Sequence, residues 1–293
     1  MRGAIVHHLL SGHAWFTAGA VLLLLLGAEL SGALAIARPA MRSAARILFL
    51  LAIGLGALSG TPLPLLLLLP LALSLGAVSA IGFGTDAARG SRVAAGAAMV
   101  VIVAALVVEA RWHRPVRVGV PAGSTIAVLG DSLSSGGFGE AVPWPARFAA
   151  ASKLRVANLS LPGETVRSAI DYQLPRLAEI GAPKVVLLEI GGNDLLGETS
   201  AEDYAADLDR LLGAVRRERP AAIVMLELPV PPARWRWGAI QRRVAKKHGV
   251  VLIPKRVLAR VLTDPRLVDD GLHLTDSGHA MLAREIGRVF RVR

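Results

Sequence analysis

The first 110 residues hold no lysine, six arginines and three acidic side chains (Glu29, Asp86 and Glu109), set among long apolar runs. Such a stretch cannot solvate itself by charge, and about 20 consecutive apolar residues are the length that crosses a bilayer. Four apolar stretches are present, approximately Trp15–Ala37, Ala44–Gly60, Leu63–Phe83 and Val93–Val108. The first and third match a spanning length. The second and fourth are short but have small flanking residues that extend them. "SGTPLP", Ser59 to Pro64, separates the second from the third. The expectation is an all-α region of about four transmembrane helices over 1–110, a linker over 111–123 and a water-soluble domain over 124–293. A cleaved signal peptide fits poorly, because the first segment is long and three more follow.

The charge is concentrated in the second part. Residues 111–293 carry 27 basic and 19 acidic side chains, within a net charge of +11 for the 293-residue chain. A basic balance suits nucleic acid or an anionic membrane surface. No helix-turn-helix, zinc-finger or RNP-like motif supports nucleic acid, so lipid headgroups are the expected partner. The chain has no cysteine. That excludes disulfides, thiolate metal sites and a cysteine nucleophile.

With four crossings, Arg38, Arg42, Arg46, Arg89 and Arg92 fall on one side and Arg2, Arg111, Arg114 and Arg117 on the other. Giving the first span the deciding weight puts Arg38–Arg46 in the cytoplasm. The catalytic domain of an integral protein of a bacterial inner membrane would then be extracytoplasmic. One segment that fails to cross reverses this.

From Ser124 onward, short apolar runs alternate with amphipathic ones. "TIAVLG", "LRVANLS", "KVVLLEIG", "AIVMLELP" and "GVVLIP" read as five buried strands. Helices are expected near Trp144–Lys153, Glu164–Ile180, Ala201–Glu218, Trp235–His248 and Asp276–Val289. Strands alternating with helices imply a parallel sheet covered on both faces.

In such a sheet ligands sit beyond the carboxyl ends of the strands. Four polar sites fall there: Ser132 in "GDSL", Gly163 in "SLPGET", Asn193 in "GGND", and Asp270 with His273 in "DDGLHL". This is an inventory for acyl transfer. A serine hydroxyl needs a base, a histidine supplies it, and an aspartate fixes the histidine tautomer. The developing oxyanion needs preorganised donors. The N–H of Ser132, the N–H of Gly163, whose missing side chain allows close approach, and the Asn193 amide are the candidates. Asp269 is the rival orienter; the i, i+3 relation to His273 favours Asp270. An α/β-hydrolase elbow is excluded, because Ser134 stands where G-x-S-x-G needs its second glycine.

The four blocks, in this order, resemble the SGNH subgroup of the GDSL hydrolases over about Ser124–Arg293. "WPARF", "LPGET", "LLEIGGNDLLG" and "DDGLHL" look most like the bacterial thioesterase I and lysophospholipase-like acyl hydrolases. The resemblance implies a flavodoxin-like three-layer sandwich with a five-stranded parallel sheet, no metal and no organic cofactor. It also supports the assignment of Ser132, Asp270 and His273 as catalytic, with Ser132, Gly163 and Asn193 as oxyanion donors. The expected activity is hydrolysis of a carboxylic ester or thioester, such as a lysophospholipid, through an acyl-serine. An O-acetyl esterase or acyltransferase acting on an envelope polysaccharide is the alternative. A membrane scaffold or transport partner is the non-enzymatic one.

Other residues are read more plainly. Asp131 braces its loop, Glu189 and Asp194 are hydrogen-bonded strand-end acids, and His279 is structural. His7, His8 and His13 look like an interfacial segment rather than a metal site. Glu29 lies inside the first span with no partner legible in the sequence. "RWRWGAIQRR", Arg234 to Arg243, fits a solvated helix start and a headgroup contact equally well.

Overall fold

The computed structural model describes residues 2–34, 36–81, 88–136, 141–218 and 220–293. They fall into two compact units. One is Gly12–Trp112 with Pro231–Ala233; the other is Met1–Ser11 with His113–Val230 and Arg234–Arg293.

The second unit contains seven strands among the described residues: β1 (Val118–Val120), β2 (Thr125–Gly130), β3 (Arg155–Asn158), β4 (Val185–Glu189), β5 (Ala222–Leu226), β6 (Val251–Ile253) and β7 (Phe290–Val292). Five of them form one parallel sheet in the order β3-β2-β4-β5-β6. This is the flavodoxin-like order, in which the chain winds one way from β2 and then the other. The central strands are apolar on both faces: Ile126–Leu129 and Val185–Leu188 are all buried, as helices on both sides of a parallel sheet require. On one face the helix Trp144–Ala151 packs on Asp276–Gly287; on the other, Ala201–Arg217 packs on Val166–Glu179 and Trp235–Lys247.

Helix starts follow capping chemistry. Thr165 accepts from Ser168 N and the Ser168 hydroxyl returns to Thr165 N, which forms a capping box. Ser200 and Thr275 cap their helices by accepting from Asp203 N and Gly278 N.

Two short strands lie outside the expectation. β1, within the segment taken as linker, pairs in parallel with β7 at the far end of the sequence, from Val118 with Phe290 to Val120 with Val292. Helix Arg256–Leu262 is also additional, as is Arg2–Leu10. The latter belongs to the sheet unit, where His7 Nδ1 lies 3.2 Å from Thr263 Oγ1.

Among the described residues the first unit contains four helices, His13–Leu30, Pro39–Leu58, Leu65–Ile81 and Ala88–Trp112. Three segments among the described residues, not four, are long and apolar enough to cross a membrane: His13–Leu30, Pro39–Leu58 and Gly90–Trp112. The third apolar stretch, expected to fit well, forms the short helix. Its start is held back by Pro62 and Pro64, and residues 82 and 83 lie outside the described set. The second and fourth stretches, expected to be short, are lengthened by arginine-bearing first turns that apolarity alone does not count.

Small residues face inward in this unit. Ala14, Ala18, Ala95, Ala98 and Ala105 are fully buried, and a Cβ on Gly19 would meet Leu106 Cδ2 at 2.8 Å. Close backbone approach through small residues is how helices associate where the surroundings are as apolar as leucine. Glu29 has a partner: the buried Ser91 hydroxyl donates to its Oε1 at 2.7 Å.

Candidate active site

β2 ends at Gly130, paired in register with Glu189 at the end of β4. The loops after these two strands therefore leave the sheet at one level, at the point where the winding reverses. Gly130 is required by space. A Cβ there would lie 2.8 Å from Glu189 O and from the Ser134 side chain. Its backbone is clamped on both sides by one buried side chain: Gly130 N donates to Gln173 Oε1 at 2.9 Å, and Gln173 Nε2 donates to Gly130 O at 2.8 Å.

The next residues turn into the single-turn helix Ser132–Ser135, with Asp131 as its cap accepting from Leu133 N at 3.0 Å. Ser132 is the first helical residue and 8% exposed. Beneath it lies a polar chain. Trp144 Nε1 donates to Ser134 Oγ at 3.1 Å, and Ser134 Oγ donates to Glu189 Oε2 at 2.8 Å. His279 belongs to this support, since its Nδ1 accepts from Trp144 N at 3.3 Å. Burial pushes its pKa down, consistent with an accepting, neutral ring.

Asp131 and Glu189 form a buried acid pair joined by a side-chain hydrogen bond. Two carboxylates cannot both be ionised in contact, so one holds a proton. Burial and the Asp131 charge push Glu189 well above the ordinary carboxylate range. Burial also raises Asp131, to about 6, against the lowering pull of the Leu133 N–H, Glu189 and the charge of His273. Glu189 Oε1 has no conventional donor. A proton on Glu189, shared with Asp131, satisfies both groups.

Gly163 has φ +78° and nothing within 4 Å of a Cβ placed on it. Its positive φ is a backbone conformation that side chains rarely adopt, and the open space beside it leaves its N–H approachable. The loop it opens is tied to the loop after β4 by two bonds: Asn193 Nδ2 donates to Glu164 O at 2.9 Å, and Val166 N donates to Asp194 Oδ2 at 2.8 Å. Burial raises the Asp194 pKa.

His273 and Asp270 are bonded directly, Nδ1 to Oδ2 at 2.6 Å. Asp270 Oδ1 also accepts from Leu272 N at 2.9 Å and His273 N at 2.7 Å. The His273 N–H, then its ring, then the Leu272 N–H hold the Asp270 carboxyl well below the ordinary range. Asp269 meets His273 through the backbone, its N donating to His273 O at 2.9 Å. With Nδ1 donating to Asp270, Nε2 is the basic nitrogen.

Of the sequence-derived residues, Asp270 and His273 are thus in contact, and Asn193 sits on the Gly163 loop. Among the described residues no hydrogen bond joins Ser132 Oγ to His273; their loops are neighbours through Asp131, whose carboxyl feels the His273 charge. Among those residues no group of three or more histidine, aspartate or glutamate side chains is placed to hold a metal. Trp237 of the basic, aromatic segment is a core residue stacked on Tyr204 with ring centroids 4.4 Å apart. Gln173, Ser134 and Trp144 were not singled out from the sequence. Their role is visible only through partners distant in the chain.

The fold and this strand-end site define a doubly wound hydrolase of the serine-esterase kind. A family model, the GDSL-like lipase/acylhydrolase family, matches residues 128–281. Thioesterase 1/protease 1/lysophospholipase L1 of Escherichia coli (strain K12) is 31% identical over 176 residues, covering 56% of this chain and 84% of that protein. The arylesterase of Vibrio mimicus is 30% identical over 167 residues, covering 52% and 80%. The crystal structure of the psychrotrophic esterase EstA from Pseudoalteromonas sp. shares the fold, with a TM-score of 0.51 and 22% identity over 57% of this chain and 96% of that one. The chain belongs to the GDSL-like lipase/acylhydrolase family.

Proposed function

We propose that this chain is a membrane-anchored serine ester hydrolase acting on an acyl ester or thioester through an acyl-Ser132 intermediate. The observation that carries the reading is the Asp270–His273 hydrogen bond, 2.6 Å at Nδ1, which frees Nε2 as a base next to the Asp131–Ser132 loop. Ser132 Oγ attacks the carbonyl carbon while Nε2 takes its proton. The oxyanion meets the N–H groups of Ser132 and Gly163 and the second hydrogen of Asn193 Nδ2, the first being held by Glu164 O. The tetrahedral intermediate collapses and His273 returns the proton to the departing alkoxide or thiolate. Water repeats the cycle on the acyl-enzyme. The missing Ser132–His273 bond is no obstacle, since catalytic contacts often tighten only with substrate bound.

The names of the E. coli and Vibrio relatives support thioesters, lysophospholipids and aryl esters as the substrates to try. A panel of p-nitrophenyl esters of graded chain length, an acyl-CoA and a lysophosphatidylcholine tests the reading. Turnover of at least one class by the wild type and none by Ser132→Ala is expected. Equal rates for the two proteins would overturn it.

The side of the bacterial inner membrane follows from the number of crossings. Helix Arg2–Leu10 belongs to the same unit as the catalytic domain, with His7 Nδ1 3.2 Å from Thr263 Oγ1, so the two share one side and the number of crossings is even. The 17-residue helix Leu65–Ile81 is at the lower end of a spanning length and serves as the fourth beside the three longer helices. Arg38, Arg42, Arg46, Arg89 and Arg92 then face Arg2, Arg111, Arg114 and Arg117, and giving the first span the deciding weight puts the catalytic domain outside the cytoplasm. Outer-leaflet lysophospholipids and acylated envelope polymers are then within reach, and cytoplasmic acyl thioesters are not. A single cysteine in place of Arg117, probed with a membrane-impermeant maleimide, should be labelled in intact cells. Protection there would put the domain in the cytoplasm.

A further inference from the structure

Besides the site at the carboxyl ends of the strands, the sheet unit has a cavity of about 790 Å³ between the helices Trp144–Ala151 and Asp276–Gly287. That volume is within the usual range for a small-molecule site. None of Ser132, Gly163, Asn193, Asp270 and His273 lines it. The lining includes Ala122 and Lys153, which precede β2 and β3. The cavity therefore opens toward the amino ends of the strands, away from the catalytic edge.

Its floor is apolar. Phe148 and Phe290 form one wall, ring centroids 5.4 Å apart. Ala280, Ala283 and Gly287 occupy one face of their helix and leave the space open. From Ser277 to Gly287 the lining follows the helix for about 15 Å, a length suited to an extended hydrocarbon chain.

Its rim is basic. Lys153 and Arg284 line the amino-edge end. The Arg293 guanidinium is turned away from it, toward Gly119 on the other face of the β1–β7 pair. Arg147, at the other end, is neutralised by an ion pair with Asp276. Among the described residues Lys153 and Arg284 form no ion pair, and no acidic side chain lines the cavity. Two like charges at one mouth repel one another until an anion joins them, and a guanidinium group suits the two oxygens of a carboxylate.

We propose that this groove binds a long-chain fatty carboxylate, its chain on the floor between the two helices and its carboxylate at Lys153 and Arg284. The inference does not rest on the catalytic reading, because none of its residues belongs to that site. The test uses the full chain in phosphatidylcholine nanodiscs and a palmitate analogue carrying a diazirine, with peptide mapping. Crosslinks are expected on the peptides containing Phe148 and Phe290. Laurate should compete at least about tenfold better than lauryl alcohol, and labelling should fall about tenfold in Ala280→Trp, which fills the floor. The exposed double variant Lys153→Glu/Arg284→Glu should lose it equally while keeping its thermal unfolding transition, which covers the case that the tryptophan disturbs folding. Four results would overturn the proposal: equal competition by the alcohol, undiminished labelling of the charge-reversed variant, labelling confined to residues 13–112, or competition by lysophosphatidylglycerol but not laurate.

Discussion

The two units differ in what they turn outward. The sheet unit buries large apolar side chains and has one group of buried polar ones, including Asp131, Ser134, Gln173, Glu189 and Asp194, near the carboxyl ends of β2 and β4, and another, Glu227, Gln241, Arg242 and Lys255, beyond β5 and β6. The helical unit buries Trp15, Leu26, Phe49 and Ile102 together with small residues such as Ala14 and Ala98, and also turns large side chains outward, with Leu66 83% exposed and Leu24 76%. One packs for exclusion of water, the other for contact with an apolar solvent. Buried polarity is costly in both. In the sheet unit part of it supports the Ser132 loop; in the helical unit the Glu29–Ser91 bond joins two helix ends.

Breaking the polar cluster should have the largest effects. Ser132→Ala and His273→Ala should each lower kcat by about 10⁴ or more, with unchanged thermal unfolding. Asp270→Asn should cost far more activity than Asp269→Asn; the reverse ranking in kcat/KM would move the orienter by one residue. Asn193→Ala should lose about 10²–10³ in kcat, the effect of one oxyanion donor.

The support beneath the loop comes next. Glu189→Leu strips partners from Ser134 and Asp131 and should cost about 2–4 kcal/mol in chemical denaturation. Glu189→Gln keeps an acceptor for Ser134 and a donor for Asp131, and should cost much less. Equal losses would deny the shared proton.

The pH dependence follows from Asp131. Its folded value of about 6 lies above the ordinary 3.8, so between those values the folded chain keeps a proton that the unfolded chain has lost. Its contribution to stability is present below about pH 4 and is lost as pH rises through about 6. Asp131→Asn has no such proton. Its stability relative to wild type should improve by about 2–3 kcal/mol from pH 4 to pH 7. A constant difference would contradict the assignment.

The smallest effect belongs to the helical unit. Ser91→Ala removes one hydrogen bond between helices and should cost about 0.6 kcal/mol, read from thermal unfolding in nanodiscs, without changing ester turnover. A loss of activity would mean that the two units are coupled.

Much of this was legible in the sequence. All five strands of the main sheet stood out as apolar runs ending in turn residues, and the expected helices, such as Glu164–Ile180 and Ala201–Glu218, end within a few residues of those found. The histidine and its aspartate were found because their spacing is local. What escaped depends on distance. β1 and β7 are three residues each and pair across most of the sheet unit, so neither has a period of its own. Gln173 is one polar residue on an amphipathic helix, and nothing near it announces Gly130. The acid pair exists only because Gly130 and Glu189 share a register. The helix lengths in the first unit were misjudged because apolar runs were measured, while Arg42, Arg46 and Arg92 lie inside helical turns.

The central claim is that Ser132, activated by His273, becomes acylated. The direct measurement is mass-spectrometric mapping of the adduct formed by a fluorophosphonate on the full-length protein. A single adduct on Ser132, absent in Ser132→Ala and strongly slowed in His273→Ala, is the expected result. An adduct on Ser134 or Ser135, or labelling that persists in Ser132→Ala, would contradict it.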